Sequence, residues 1–518
     1  MKLINLLTIW YLSTIVQIVH GREYVIRLKH KDTLQKFFNS KLLNSVGSKV
    51  KDVIGNDKLD KIYSFGDFNC LSAKNLSIDI VERLKRNPFV ADVVPNLAFE
   101  MFEKGSPWYT SEDNDDDEVD DESEDEDDDE GNDDGDDDDD DDDDDEDDNG
   151  INVQYGAPRH LGRISSRGQL PFDIRNENEF KEFIHYYYED QFKGSNIAAY
   201  ILDTGIYAEH PDFENRVIVG ADMTGEGPGD SNGHGTHVAG ILGSKTFGVA
   251  KNVTLVEVKV LTGRGSGNLT TVLSGIQFAV DHCRLMRETQ GKQCVANMSL
   301  GTVRNNIINA AIHEAFKAGL IMVVAAGNSN VSACWTSPAS AKNAITVGAF
   351  DDRTETIAYF SNWGACVDIF APGVKIRSLS NSPESHHKHV THSGTSMASP
   401  VVAGLAAILL DKGVEPFDVK DKLLHLSTKD VFNKLTLFFK YGTPNKIAYN
   451  GIEDFFENED DAVDEEEEAK NLLDRFRIFE AVYPIIDNYE LAEKLKDYKP
   501  SGTVYSSDDE YLDPSWVN

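Results

Sequence analysis

The sequence predicts an α/β protein: a doubly wound parallel sheet with helices on both faces, preceded by a small α+β domain. The first observation is the texture of residues 151–451. Short β-branched runs such as Ile197-Ala-Ala-Tyr-Ile-Leu, Leu255-Val-Glu-Val-Lys-Val and Leu320-Ile-Met-Val-Val-Ala-Ala alternate with helical periodicity over 271–287, 307–318 and 397–410. Strands that are apolar throughout have to be covered on both faces, as they are in a parallel sheet between helix layers. The second observation is the element order of residues 22–102. Residues 24–29 alternate as a strand, 34–43 read as helix and 63–69 as a second strand region. Residues 76–86 carry apolar side chains at helical spacing, and 90–94 with 97–102 read as the last strand. That is a β-α-β-β-α-β pattern of the ferredoxin-like kind, over about 80 residues.

Composition divides the rest. At 518 residues, with 40% hydrophobic content, the chain can build two or three units. The formal charge of −40 is concentrated in one place. Of 90 acidic residues, 31 lie between Glu112 and Asp148 with no basic residue among them, which leaves 59 against 50 Lys and Arg, a balance of −9. The globular parts are only mildly acidic, and without a basic patch nucleic acid is not expected as a partner. Residues 103–150, carboxylates without apolar partners, are expected to be a disordered acidic tether, a spacer in preference to a calcium buffer. Residues 452–518 read as an acidic tail with one helix over 470–482.

Lys2 followed by the apolar run from Leu3 to Val19 and then His20-Gly21 reads as a signal peptide over 1–21. The run is short and interrupted by Asn5, Thr8, Ser13, Thr14 and Gln17, so no retained membrane anchor is expected. Four of the five cysteines, Cys283, Cys294, Cys334 and Cys366, form an even set suited to an oxidising compartment, with Cys70 apart. Cys283/Cys294 and Cys334/Cys366 are natural pairs, although four cysteines allow three connectivities. Sequons at Asn75, Asn252, Asn268 and Asn330 fit a glycoprotein, whereas the one at Asn297 falls in a segment expected to be buried.

Three segments carry the chemistry, each where a strand feeds a loop or a helix begins. A strand ends in Asp203-Thr-Gly, placing a carboxylate where it can orient a histidine without taking its proton. His234, in Asn232-Gly-His-Gly-Thr-His-Val-Ala-Gly, opens a closely packed helix. Ser396, in Ser393-Gly-Thr-Ser-Met-Ala-Ser-Pro, begins an apolar helix whose N-terminus favours a developing anion. Each segment alone is weak evidence; together, in the order Asp, His, Ser on an α/β frame, they point to a nucleophilic hydrolase.

These motifs resemble the signatures of the subtilases, and more closely those of the proteinase K and cerevisin group, with a nearest likeness to a spore-wall-associated subtilase of yeast. Ala157-Pro-Arg-His-Leu-Gly-Arg-Ile-Ser, Tyr186-Tyr-Tyr-Glu-Asp and Thr443-Pro-Asn-Lys-Ile-Ala-Tyr-Asn-Gly are similar to that group, over residues 150–451. The resemblance implies a subtilisin-like serine endopeptidase with Asp203, His234 and Ser396 as catalytic residues and Asn328, in Val324-Ala-Ala-Gly-Asn, as oxyanion donor. His237 is implied to be structural. Gly265, Ser266 and Gly267, with Ser299, Leu300 and Gly301, match the two segments that grip an extended polypeptide substrate. Ser299-Leu-Gly together with Ala325 and Gly327 would wall an open, apolar primary pocket. No cofactor is required for the chemistry. Asp368 matches a structural-calcium ligand position of the family, with carbonyls near Lys342 and Ala344 as partners, the alternative being a solvated loop carboxylate; His386, His387, His389 and His392 do not make a zinc site. Residues 22–102 would be an inhibitor-type prodomain, the chain's own intramolecular partner. It would be cut first after Phe102 and again near 149–154, leaving a secreted or vacuolar monomer, or one in the spore wall. The competing expectation is a subtilase fold kept as a non-catalytic component of an extracellular coat. Arg159 and His160 depart from the group's usual sequence at the domain start, and Val401 from the usual His after Ser399-Pro.

Overall fold

The computed structural model describes residues 23–30, 33–40, 49–55, 57–102, 150–172, 184–382 and 389–452. The expected signal peptide, all but the end of the acidic tether, the C-terminal tail with its helix, and His386 and His387 lie outside the described residues.

The N-terminal part runs β1 (Glu23–Leu28), α1 (Leu34–Asn39), α2 (Val50–Val53), β2 (Leu59–Phe65), β3 (Phe68–Lys74), α3 (Ile78–Lys85) and β4 (Val90–Pro95). The sheet order is β2-β3-β1-β4, all antiparallel. Strand alternation gives it two apolar faces. Ile26, Leu28, Leu71 and Ala73 pack on Phe37 and Leu84. The opposite face, with Val25, Tyr63, Phe65, Phe68 and Cys70, shares a core with the larger part of the chain. The expected last strand is split in two. Pro95 cannot donate to a ladder, and Asn96 turns the chain by bonding Glu23 and Thr270. Ala98–Met101 (β5) then leaves for another sheet.

The larger part begins with β6 (Ile151–Gln154), α4 (Arg159–Ser165) and β7 (Tyr186–Glu189). It continues with β8 (Ile197–Asp203), β9 (Val217–Asp222), α5 (His234–Gly243), β10 (Thr254–Lys259), β11 (Ser266–Asn268) and α6 (Leu269–Gln290). Next come β12 (Gln293–Met298), β13 (Leu300–Val303), α7 (Asn306–Lys317), β14 (Leu320–Ala325), β15 (Thr336–Ser337), β16 (Ile345–Asp351) and β17 (Thr356–Ile357). The last elements are β18 (Ile369–Pro372), β19 (Ile376–Leu379), β20 (His389–His392), α8 (Thr395–Asp411), α9 (Val419–Leu426), β21 (Thr428–Lys429), α10 (Lys434–Phe439) and β22 (Lys446–Ile447). The central sheet has the order β21-β22-β18-β16-β14-β12-β8-β10-β9 with β17 beside β16, and every pairing from β18 to β9 is parallel. Along β8, Ile197, Ala199 and Ile201 join the core built on α5 and α8, while Ala198, Tyr200 and Leu202 join the one built on α6 and α7. The fold is therefore the expected α/β sandwich. In such sheets the carboxyl ends of the strands, where the order reverses, are the place for a site.

Cys283 pairs with Cys294, Cα atoms 6.0 Å apart, and Cys334 with Cys366, 5.2 Å apart. The Cys70 thiol is free and buried, and burial pushes its pKa well up. The two departures at the domain start are built into the packing. Arg159 pairs with Asp352 at 2.5 Å, and buried His160 meets the Phe247 carbonyl with Nε2 at 2.9 Å.

Burial lowers the His160 pKa to about 4 from an ordinary 6.5. Between those values the unfolded chain binds the proton and the folded chain does not, so this residue's contribution to stability is full above pH 6.5 and falls as the pH drops toward 4. Thermal melts across that window are expected to show Tm falling with acidification, with a shallower fall for His160→Gln.

Candidate active site

The first side chain of the site is set by the end of β8. Asp203 is fully buried; its Oδ1 takes the Thr204 amide at 2.8 Å and lies 2.6 Å from His234 Nδ1. An imidazole that donates Nδ1–H to a carboxylate carries its lone pair on Nε2, so the ring is oriented and its basic nitrogen defined together. His234 is the first residue of α5, and the loop before it is folded around Asp230. That carboxylate accepts from the amides of Asn232, Gly233 and Thr236 and from the hydroxyls of Thr236 and Thr204, at 2.7–3.0 Å. Thr204 Oγ1 in turn accepts the Gly235 amide at 3.0 Å. The residue after Asp203 and the residue after His234 are thus fastened to one another. His237, one turn on, is buried with Nε2 at 3.1 Å from both the Ile376 and Val390 carbonyls. Burial, then His392 and His234, hold it well below its ordinary pKa. As a neutral donor it ties the β19–β20 hairpin to α5.

Ser396 lies in the first turn of α8, which packs against α5. Pro400 sits inside this helix and lacks the N–H that would close the turn on the Ser396 carbonyl. The Ser299 hydroxyl supplies that donor at 2.9 Å, and the Ser396 hydroxyl donates back to the Ser299 carbonyl at 3.2 Å. Asn297, buried as expected, braces the pair: its Nδ2 donates to Ser299 Oγ at 3.0 Å and its Oδ1 accepts the Ser399 hydroxyl at 2.6 Å.

Asn328 follows β14. Its Oδ1 accepts the Thr395 amide at 2.9 Å and the Thr395 hydroxyl at 2.8 Å, which points Nδ2 the other way, to the Phe102 carbonyl at 2.8 Å. Thr395 Oγ1 also accepts the Gly327 amide at 3.0 Å, while Asn362 donates to the Ala326 carbonyl and accepts the Ser329 and Val331 amides.

Phe102 reaches this point because β5 lies between β11 and β13, antiparallel to both. Glu100 faces Ser266 on one side and Gly301 on the other, Phe99 faces Gly267, and Met101 faces Leu300. The amide of Met101 donates to the Gly265 carbonyl at 3.2 Å, and that of Phe102 to the Ser299 carbonyl at 3.3 Å. The Phe102 ring rests over Gly301, where an added Cβ would stand 2.2 Å from the ring, and near Gly327, at 3.5 Å. At Gly394 a Cβ would come within 2.5 Å of the Phe102 carbonyl oxygen. Ala325, also expected in this wall, is the buried last residue of β14. The two segments expected to grip a peptide therefore flank residues 98–102, with Gly327 beside the Phe102 ring.

Asp368 lies apart from this cleft. Its Oδ1 is 2.8 Å from Lys420 Nζ, which also donates to the Ala344 carbonyl at 2.9 Å. Two of the oxygens expected to hold calcium are thus engaged by an ammonium, and the set does not fit a dication. Among the described residues no group of three or more His, Cys, Asp or Glu could hold a metal.

Asp230, Thr395 and Asn362 were not singled out from the sequence. Asp230 and Thr395 had a signal, short polar side chains before and at a helix start; Asn362 had none.

A sequence profile of the Subtilase family matches residues 194–443. The subtilase-type proteinase RRT12 of Saccharomyces cerevisiae is 47% identical over 450 residues, covering 87% of this chain and 86% of its own length. The chain belongs to the subtilase family. Cerevisin, also from Saccharomyces cerevisiae, is 42% identical over 58% of this chain and 48% of its own length. The crystal structure of a cold-adapted subtilisin-like serine proteinase is 37% identical, covers 58% of this chain and 100% of its own, and has a TM-score of 0.49. As a subtilase, the protein is a serine endopeptidase, a hydrolase of peptide bonds.

In this subtilase Thr395 fixes which end of the Asn328 amide faces the cleft. Thr395→Val keeps the shape and the backbone amide's bond to Asn328 Oδ1, but removes the hydroxyl's bond to that oxygen and the acceptor of the Gly327 amide. If Asn328 is the oxyanion donor that the resemblance implies, kcat with a chromogenic peptide is expected to fall about tenfold with little change in KM, below the ~10²–10³-fold loss for removing such a donor outright.

Proposed function

We propose that this subtilase is made as a precursor which cuts itself after Phe102, and that residues 22–102 then act as its inhibitor. The single observation that carries this is the seat of Phe102, whose carbonyl oxygen takes the Asn328 amide at 2.8 Å while residues 98–101 are held as a strand between β11 and β13. A strand added between two others is how a protease grips a backbone.

In the reaction, Ser396 Oγ forms a bond to the carbonyl carbon of Phe102, and its proton passes to His234 Nε2. For this the hydroxyl turns from the Ser299 carbonyl to the imidazole. Asp203 steadies the imidazolium, and Asn328 Nδ2 bears the oxyanion. The C–N bond then breaks, the proton going from Nε2 to the leaving amine. Water, deprotonated by the same nitrogen, splits the acyl-enzyme to a carboxylate and restores the serine. The open floor around Gly301 and Gly327 suits an aromatic or large apolar residue before the cut. A second cut near 149–154 would remove the acidic tether. The signal-like start and the two disulfides support action in the secretory pathway or beyond it, at the cell exterior, the spore wall or the vacuole lumen, on polypeptide substrates and as a monomer.

N-terminal sequencing tests this. Wild type is expected to yield chains starting at Glu103 and then within 149–154, whereas Ser396→Ala keeps one start near Arg22. Identical migration of the two on a gel overturns the proposal. Replacing the anchor, Phe102→Asp, is expected to slow appearance of the first new start by at least about tenfold, since an apolar pocket discriminates that much against even a single methylene.

A further inference from the structure

We propose that this chain supplies its own cation where calcium was expected, the Lys420 ammonium standing between Asp368 and Ala344 in place of a metal. Asp368 precedes β18 and is clamped to the start of β16: its amide donates to the Thr346 carbonyl at 2.9 Å, and the Thr346 amide returns to Oδ2 at 2.8 Å. That leaves Oδ1 facing Lys420 Nζ at 2.8 Å, and the same nitrogen reaches the Ala344 carbonyl at 2.9 Å. Both are ordinary lengths for a charge-assisted N–H···O bond. The lysine is not a stray surface group. It sits in the first turn of α9, between Val419 and Leu423, and both of these are buried in the core shared with α8. Only 27% of the Lys420 side chain and 20% of the Asp368 side chain are exposed.

Calcium takes about six to eight oxygens at roughly 2.3–2.6 Å. An ion bound to Asp368 Oδ1 and the Ala344 carbonyl would coincide with Nζ, which lies within hydrogen-bond reach of both. Electrostatics points the same way. One carboxylate balances one ammonium, and a dication beside it would put two like-signed centres on a single negative charge. With no cluster of three or more candidate ligands among the described residues, nothing there compensates. The ammonium therefore joins β16, β18 and α9 as a metal would, but without dependence on free calcium.

The test is thermal unfolding of the full chain in a Ser396→Ala background, so that self-digestion does not blur the melt, in excess chelator and in millimolar calcium. The parent is expected to melt at the same temperature in both. Lys420→Met, which keeps the aliphatic stem, is expected to melt at least ~1–2 °C lower in chelator, the shift that loss of one interaction gives when unfolding entropy is scaled to about 300 residues. A Lys420→Met melt equal to the parent's in chelator overturns the proposal. So does a calcium-induced rise in the parent that Asp368→Asn abolishes. A rise that survives Asp368→Asn comes from another site and leaves Asp368 and Lys420 paired, as proposed. Because the readout is stability, the result does not depend on whether the bond after Phe102 is cut.

Discussion

The reciprocal pair of hydrogen bonds between Ser299 and Ser396 is the constraint on which the site depends. A proline in the second turn of α8 deprives the helix of one internal bond at Ser396. A buried carbonyl without a donor costs about 1–3 kcal/mol, so α8 settles only where Ser299 can reach it. Ser299 stands between β12 and β13, and its own carbonyl takes the amide of Phe102. One residue thus fixes the helix that bears Ser396 and the strand that borders the cleft. Their separation is set by hydrogen-bond lengths, independently of loop conformation.

The other half of the site obeys a similar economy. Asp203 and His234 are 31 residues apart, on a strand end and a helix start. Asp230 gathers the backbone of the intervening loop so that the two arrive in register. Full burial of both side chains excludes water from the bond between them and strengthens it. Asn328 is treated likewise: Thr395 holds its oxygen, so its nitrogen has one orientation left. In each case a hydroxyl or carboxylate next to a helix start orders the group that faces the cleft, which is electrostatic preorganisation carried by short polar side chains.

Much of this was legible in the sequence because the relevant signals are local. Apolar strands alternating with helices disclosed the parallel sheet, and Asp203, His234 and Ser396 stood out as junction residues with glycine nearby. What was not legible depends on contacts between distant segments. The small unit's last strand reads as continuous, and only the company of Glu23 and Thr270 turns Asn96 aside and sends β5 elsewhere. Asp368 reads as a metal ligand until Lys420, 52 positions further along, is folded beside it. Asn362 shows no local mark, since its role lies in bonding a loop more than thirty residues upstream.

The hairpin turn between β2 and β3 has a separate hold on the rest of the chain, with the Asp67 amide on the Glu314 carboxylate and its side chain on Lys317. A segment anchored at two places rebinds at one whenever the other persists, because tethering sustains a high local concentration. If the backbone is cut beyond Phe102 as proposed, residues 22–102 would still be held at two places and would leave the cleft slowly. Emancipation of the enzyme then rests on how long that remote latch survives, a matter of dissociation or degradation rather than of bond hydrolysis.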